Sequence, residues 1–112
     1  MDPLIAAWAR AFVFTQLVEV PIYRGLAKVP LGLAFAASAI THPIVWFVFF
    51  SERVPLGYDA KLWLAETFAV VVEAAVLATT KMPARRALGF ALLANAASVV
   101  TSMATRAAFG WP

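Results

Sequence analysis

Four apolar stretches of roughly twenty residues each constrain this chain more than anything else in it. They run from Leu4 to Tyr23, Leu31 to Phe50, Ala60 to Thr80 and Arg85 to Ala108. A helix needs about 20 apolar residues to cross a bilayer, because each residue advances it about 1.5 Å through a core about 30 Å thick. Soluble domains are about 45–50% apolar and about 25% charged. Here 63% of 112 residues are hydrophobic and 13% charged. A soluble fold of this length has too little interior to hide that much apolar surface. The expectation is an all-α, polytopic integral membrane protein: a single transmembrane domain over 1–112 with four transmembrane helices.

Short polar connections arrange these helices as two hairpins, about 4–50 and 60–108. Pro3 suits the first turn of the first helix, and Asp59 is the expected N-cap of the third. The first stretch reads as a retained helix and not as a secretory leader, since Asp2 replaces a basic start and Arg10 lies inside it. Pro43, within the second helix, removes an N–H and should kink it, freeing the Ala39 carbonyl. Trp46, Phe47, Phe49 and Phe50 then form an aromatic band suited to an interface.

The loops after the first and third helices hold Arg24, Lys28, Lys81, Arg85 and Arg86 without an acid. The opposite side carries Arg10, Arg53, Lys61 and Arg106 together with Asp2, Glu52 and Asp59. Basic residues favour the cytoplasmic side. This places the short loops in the cytoplasm and both termini outside, in a multi-pass protein of the inner membrane. The net charge of +3 then reflects helix ends. No basic stripe with interleaved aromatics points to nucleic acid.

The two hairpins resemble one another. Phe14-Thr15-Gln16-Leu17-Val18-Glu19 aligns with Phe68-Ala69-Val70-Val71-Val72-Glu73. Leu31-Gly32-Leu33-Ala34-Phe35-Ala36-Ala37-Ser38 aligns with Leu88-Gly89-Phe90-Ala91-Leu92-Leu93-Ala94-Asn95, and Thr41 then faces Ser98. Both halves would enter the membrane with the same polarity, as a parallel internal repeat about an axis along the membrane normal. Glu19 and Glu73 become counterparts.

An ionisable side chain within a span is costly and marks a functional site by default. Glu66 and Glu73 are seven residues apart in Trp63–Thr80, nearly two helical turns, so they share a stripe. Glu73 is the deeper. It is read either as a proton- or cation-carrying carboxyl or as a neutral one stitched to Asn95 or Ser98. Glu19 is either a second such carboxyl or a partner of Arg24 or Lys28. Glu66, nearer the other end, is expected to pair with Arg10, Arg53 or Lys61. His42, the sole histidine, is more often an interhelical donor than a ligand. His42 with Glu66 or Glu73 would suit zinc or manganese, without any motif spacing. In the fourth helix Ala94, Ser98 and Ser102 form a small-xxx-small stripe for close packing, and Gly32, Ala36, Ala37 and Thr41 offer the same in the second.

Catalytic signatures are missing: the chain has no Gly-x-Ser-x-Gly, no His-Glu-x-x-His and no phosphate-cradling glycine loop. With no cysteine, thiolate chemistry is excluded. The combination of Glu19-Val20-Pro21, Thr41-His42-Pro43 with Trp46, Glu66 with Glu73, and Ala94-Asn95 with Ser98 resembles small four-helix bacterial membrane proteins. That resemblance implies the bundle and assigns no residue a role. Length and helix count are also similar to small multidrug-resistance transporters, but those have a glutamate early in the first helix and a glycine-rich third helix, whereas this third helix has no glycine.

The functional expectation is an intramembrane polar centre of Glu73, Glu19, His42, Glu66, Asn95 and Ser98. It would bind or conduct a proton, cation or cationic solute, in a homo-oligomer or larger membrane complex that shields the polar groups from lipid. No cofactor is specified. The alternatives are a non-catalytic accessory subunit and a metal-dependent membrane enzyme.

Overall fold

The computed structural model describes residues 2–112, which form four helices and, among the described residues, no strand. Helix α1 spans Pro3–Pro21, α2 Leu31–Ile44, α3 Tyr58–Ala78 and α4 Ala84–Phe109. Three helical segments, Pro3–Leu26, Leu31–Phe49 and Ala84–Phe109, are long and apolar enough to cross a membrane. Helix α3 is as long, but Lys61, Glu66 and Glu73 lower its apolar character.

The helix ends follow local chemistry. The Asp2 carboxylate caps α1, accepting from the N–H of Leu4 at 2.7 Å and of Ile5 at 3.4 Å. Helix α3 starts earlier than expected, with Gly57 at the cap position and no side-chain cap. Asp59 is therefore not the N-cap. It sits in the first turn, where its charge still favours the positive end of the helix dipole. Gly110, at φ 67, closes α4 in the left-handed conformation and donates to the Arg106 carbonyl at 2.9 Å.

Both internal prolines are followed by a wide, π-type turn: Ile22–Leu26 after Pro21, and Val45–Phe49 beyond Pro43. The Ala27 and Phe50 N–H groups donate five residues back, to the Ile22 and Val45 carbonyls, each at 3.1 Å. A proline lacks the N–H and crowds the preceding turn. The wider ring accommodates the mismatch without ending the helix. The perturbation expected at Pro43 thus takes the form of a widened turn.

The helices form a closed ring in which α1 packs on α2 and α4, and α3 packs on α2 and α4. The inward faces are built from small side chains: Ala34, Ala37, Ala87, Ala91 and Ala94 are fully buried. Such residues let helix backbones approach closely. Alanines, not glycines, make these contacts. A Cβ on Gly32 would meet nothing within 4 Å, so Gly32 is not part of the packing stripe it was expected to join. Large apolar side chains, among them Leu17, Phe35, Trp63, Leu92 and Val100, lie outside, while Glu19, Ser38, Thr41, Glu73 and Asn95 are buried. This inverts the usual distribution of a water-soluble protein.

The apolar core occupies one end of the bundle. Tyr23, Ala27, Val29, Leu77 and Ala87 fill the end that carries the two short loops. Toward the opposite end the ring opens into a cavity.

Candidate functional site

The cavity has a volume of about 330 Å³. Its lining includes Glu73, Glu19, His42, Glu66, Asn95 and Ser98 together. Tyr58, Arg106 and Pro112 also line it, and all three belong to the end opposite the short loops. Glu73 lies fifteen residues from the start of α3 and five from its end, about 22 Å and 8 Å along the axis. The carboxyls of Glu19 and Glu73 therefore sit at the floor, where the hollow half meets the solid one.

Glu73 is 1% exposed and accepts three hydrogen bonds from three helical segments. The Tyr23 hydroxyl donates to its Oε1 at 2.7 Å, the Asn95 amide to the same oxygen at 3.2 Å, and the Thr41 hydroxyl to Oε2 at 2.9 Å. Glu19, also 1% exposed, accepts from the Ser98 hydroxyl at 2.7 Å on Oε2. Its Oε1 is buried with no donor. The two carboxyls are neighbours in the lining of the same cavity. Among the described residues neither carboxyl meets a basic side chain, so Arg24 and Lys28, both exposed, do not neutralise Glu19. Two neighbouring carboxylates in a low-dielectric site cannot both stay charged without a counter-ion. The pair is chemically suited to share one proton or to hold a cation.

Glu66 is half-buried on the wall above the floor. It forms no ion pair with Arg10, Arg53 or Lys61; the Lys61 ammonium donates instead to the Ser51 carbonyl at 2.8 Å. His42 belongs to a different environment. Its Nε2 lies 3.3 Å from the Thr15 hydroxyl, an interhelical contact. Its ring is enclosed by Trp8, Phe12 and Trp46 at centroid separations of 6.5, 5.5 and 6.3 Å. Among the described residues no three metal-ligating side chains are grouped, so the set of His42, Glu66 and Glu73 does not assemble as a metal site.

Tyr23 is the residue that sequence reasoning missed. A tyrosine at the end of an apolar run reads as an interface aromatic, yet Tyr23 is fully buried and makes the shortest bond to Glu73. The available signal was its position four residues after Glu19, on the same helical face. Thr41, read as the counterpart of Ser98 and as part of a packing surface, is a second direct partner of Glu73.

The chain matches no family model, no curated protein and no solved structure.

Proposed function

We propose that the protein is a four-span membrane protein that binds a proton or monovalent cation, organic cations included, at the paired carboxyls Glu19 and Glu73. The observation that carries this reading is the buried Glu19 Oε1, without a donor, beside a second carboxyl at the floor of a cavity that reaches one end of the bundle. Glu73 is the principal site and Glu19 its partner. Tyr23, Thr41, Asn95 and Ser98 fix the orientation of the two carboxyls, and Glu66 draws positive charge inward along the wall.

The apolar exterior and polar interior support a bilayer as surroundings. The length of α3 and its place in a closed ring support it as the fourth span. The basic short loops support a cytoplasmic position for the solid end, so that the cavity faces outward from the inner membrane. Under the hairpin alignment, Thr41 bonding Glu73 and Ser98 bonding Glu19 are equivalent contacts, which supports a duplicated hairpin. Assembly into a homo-oligomer is part of the proposal, although the carboxyls are already shielded within one chain.

The accessory-subunit reading draws support from the three donors on Glu73, which suit a structural stitch between helices. It leaves the donor-free Glu19 oxygen and the cavity above it unaccounted for.

The test is proton release. Purified protein in nanodiscs, titrated with sodium or tetramethylammonium chloride, should release protons as a cation displaces the shared proton, with apparent affinity rising with pH. Glu73→Gln removes one charge of the pair and should weaken binding by about a hundredfold to a few thousandfold, since breaking a buried ionic set costs about 3–5 kcal/mol. Unchanged binding and an unchanged pH profile in Glu73→Gln would sink the proposal.

A further inference from the structure

A second depression runs along the outside of the bundle between α3 and α4. It has a volume of about 580 Å³, and Trp63, Val71, Leu92, Ala96, Val100 and Met103 form its walls. All of these wall residues except Ala96 are large and apolar, and all are exposed. The groove and the inner cavity share Leu62, Glu66, Asn95 and Val99. These four residues therefore form a thin partition between them. Glu66 stands in it, half-buried and joined to no basic side chain, and Asn95 places its amide on Glu73 immediately behind.

Resting on the reading of Glu19 and Glu73 as a cation site, we infer that its substrates include amphiphilic organic cations that enter sideways from the lipid, with the alkyl chain in the α3–α4 groove and the ammonium head passing Glu66 to the carboxyl pair. Charge selects this occupant. Glu19, Glu66 and Glu73 line the cavity against one arginine, Arg106, and one histidine, His42, and the Glu19 oxygen at the floor lacks a donor. A phospholipid would bring its phosphate toward three carboxyls, whereas a monoalkyl ammonium brings only positive charge. The tail contributes little driving force, because lipid is as apolar as the groove. What the groove supplies is a place for the chain in the bound state: with the head at the carboxyls, the chain still lies in an apolar environment.

The experiment compares tetramethylammonium with dodecyltrimethylammonium in phosphatidylcholine nanodiscs, by proton release, with the second cation's concentration corrected for partitioning into the bilayer. Ala96→Trp and, separately, Val100→Phe add bulk on the exposed wall of the groove without touching the carboxyls. Each should weaken the dodecyl cation about tenfold, as expected for overfilling a packed site by about 1–3 kcal/mol, and leave tetramethylammonium within twofold. Equal weakening of both cations, or of neither, overturns lateral entry while the carboxyl site stands. Failure of both cations to bind the wild-type chain overturns the carboxyl reading itself. A change in oligomeric mass with either variant, at unchanged dodecyl affinity, assigns the groove to a second copy of this chain and overturns the inference.

Discussion

Removing the Tyr23 hydroxyl tests the charge state of the floor directly. In Tyr23→Phe the ring keeps its packing, the backbone bond from the Val29 N–H to the Tyr23 carbonyl at 3.0 Å is untouched, and only the 2.7 Å bond to Glu73 is lost. An interhelical hydrogen bond between neutral groups in a membrane protein is worth about 0.6 kcal/mol on average. One to a charged group is worth about 1.5–3 kcal/mol. Asn95 still donates to the same oxygen at 3.2 Å, which takes the edge off the loss, so about 2 kcal/mol is expected in the wild-type background at pH 8. In Glu73→Gln the acceptor oxygen remains but its charge does not, and Tyr23→Phe should then cost about 0.6 kcal/mol. The coupling between the two substitutions is the difference, about 1.4 kcal/mol, or tenfold in the unfolding equilibrium. Tryptophan fluorescence reads it during unfolding in mixed micelles of rising sodium dodecyl sulfate content. A coupling inside the additivity error of about 0.3–0.5 kcal/mol would mean that Glu73 carries no charge at pH 8, and the assignment of Glu73 as the charged, principal member of the pair would fail with it.

Other perturbations probe other parts of the fold. Ala91→Leu inserts three carbons where α4 is fully buried; it should destabilise the bundle by about 1–3 kcal/mol in the same unfolding assay, whereas Leu92→Ala on the exposed face should change little. Lys81 holds φ at 66°, a conformation costing a side-chain-bearing residue about 1–2 kcal/mol, so Lys81→Gly should raise the unfolding midpoint. Single cysteines introduced at Lys28 and at Glu52 should react with an impermeant maleimide from opposite sides of the membrane, Glu52→Cys from outside; labelling of both from one side would remove the four-span topology.

The helical architecture was legible because apolar runs of membrane-spanning length admit few alternatives. The polar partners were harder to read. Asn95 and Ser98 were both read as partners open to Glu73, since each is expensive to bury alone; Asn95 donates to Glu73, whereas Ser98 donates to Glu19. The bond from Ser98 to Glu19 crosses 79 positions of sequence and depends on the ring order of the helices, which hydropathy does not encode. Tyr23 was hidden by the wide turn after Pro21, which carries the chain back under the bundle instead of letting it leave. Asp59 was expected to cap α3, yet the aspartate that caps a helix is Asp2, on α1: either has the chemistry of a cap, and the choice depends on where each helix first closes its hydrogen bonds. Glu66 was expected to find a basic partner near its helix end, but Lys61, five residues before it, is held by the Ser51 carbonyl.

Under the proposed cation-binding role in a bilayer, the division of the bundle into a solid end and a hollow end has an electrical consequence. A voltage across a membrane falls mainly over whatever resists ions, and here that is the apolar floor of about 8 Å between Glu73 and the end of α3. Moving one charge through the whole potential is worth about 2.3 kcal/mol per 100 mV. A cation that travels down the cavity to Glu73 crosses little of that drop, so loading of the site should be nearly indifferent to voltage. A proton that leaves Glu73 through the floor crosses most of it. One stretch of packed alanine, leucine and tyrosine thus separates a step the membrane potential cannot influence from one it would drive.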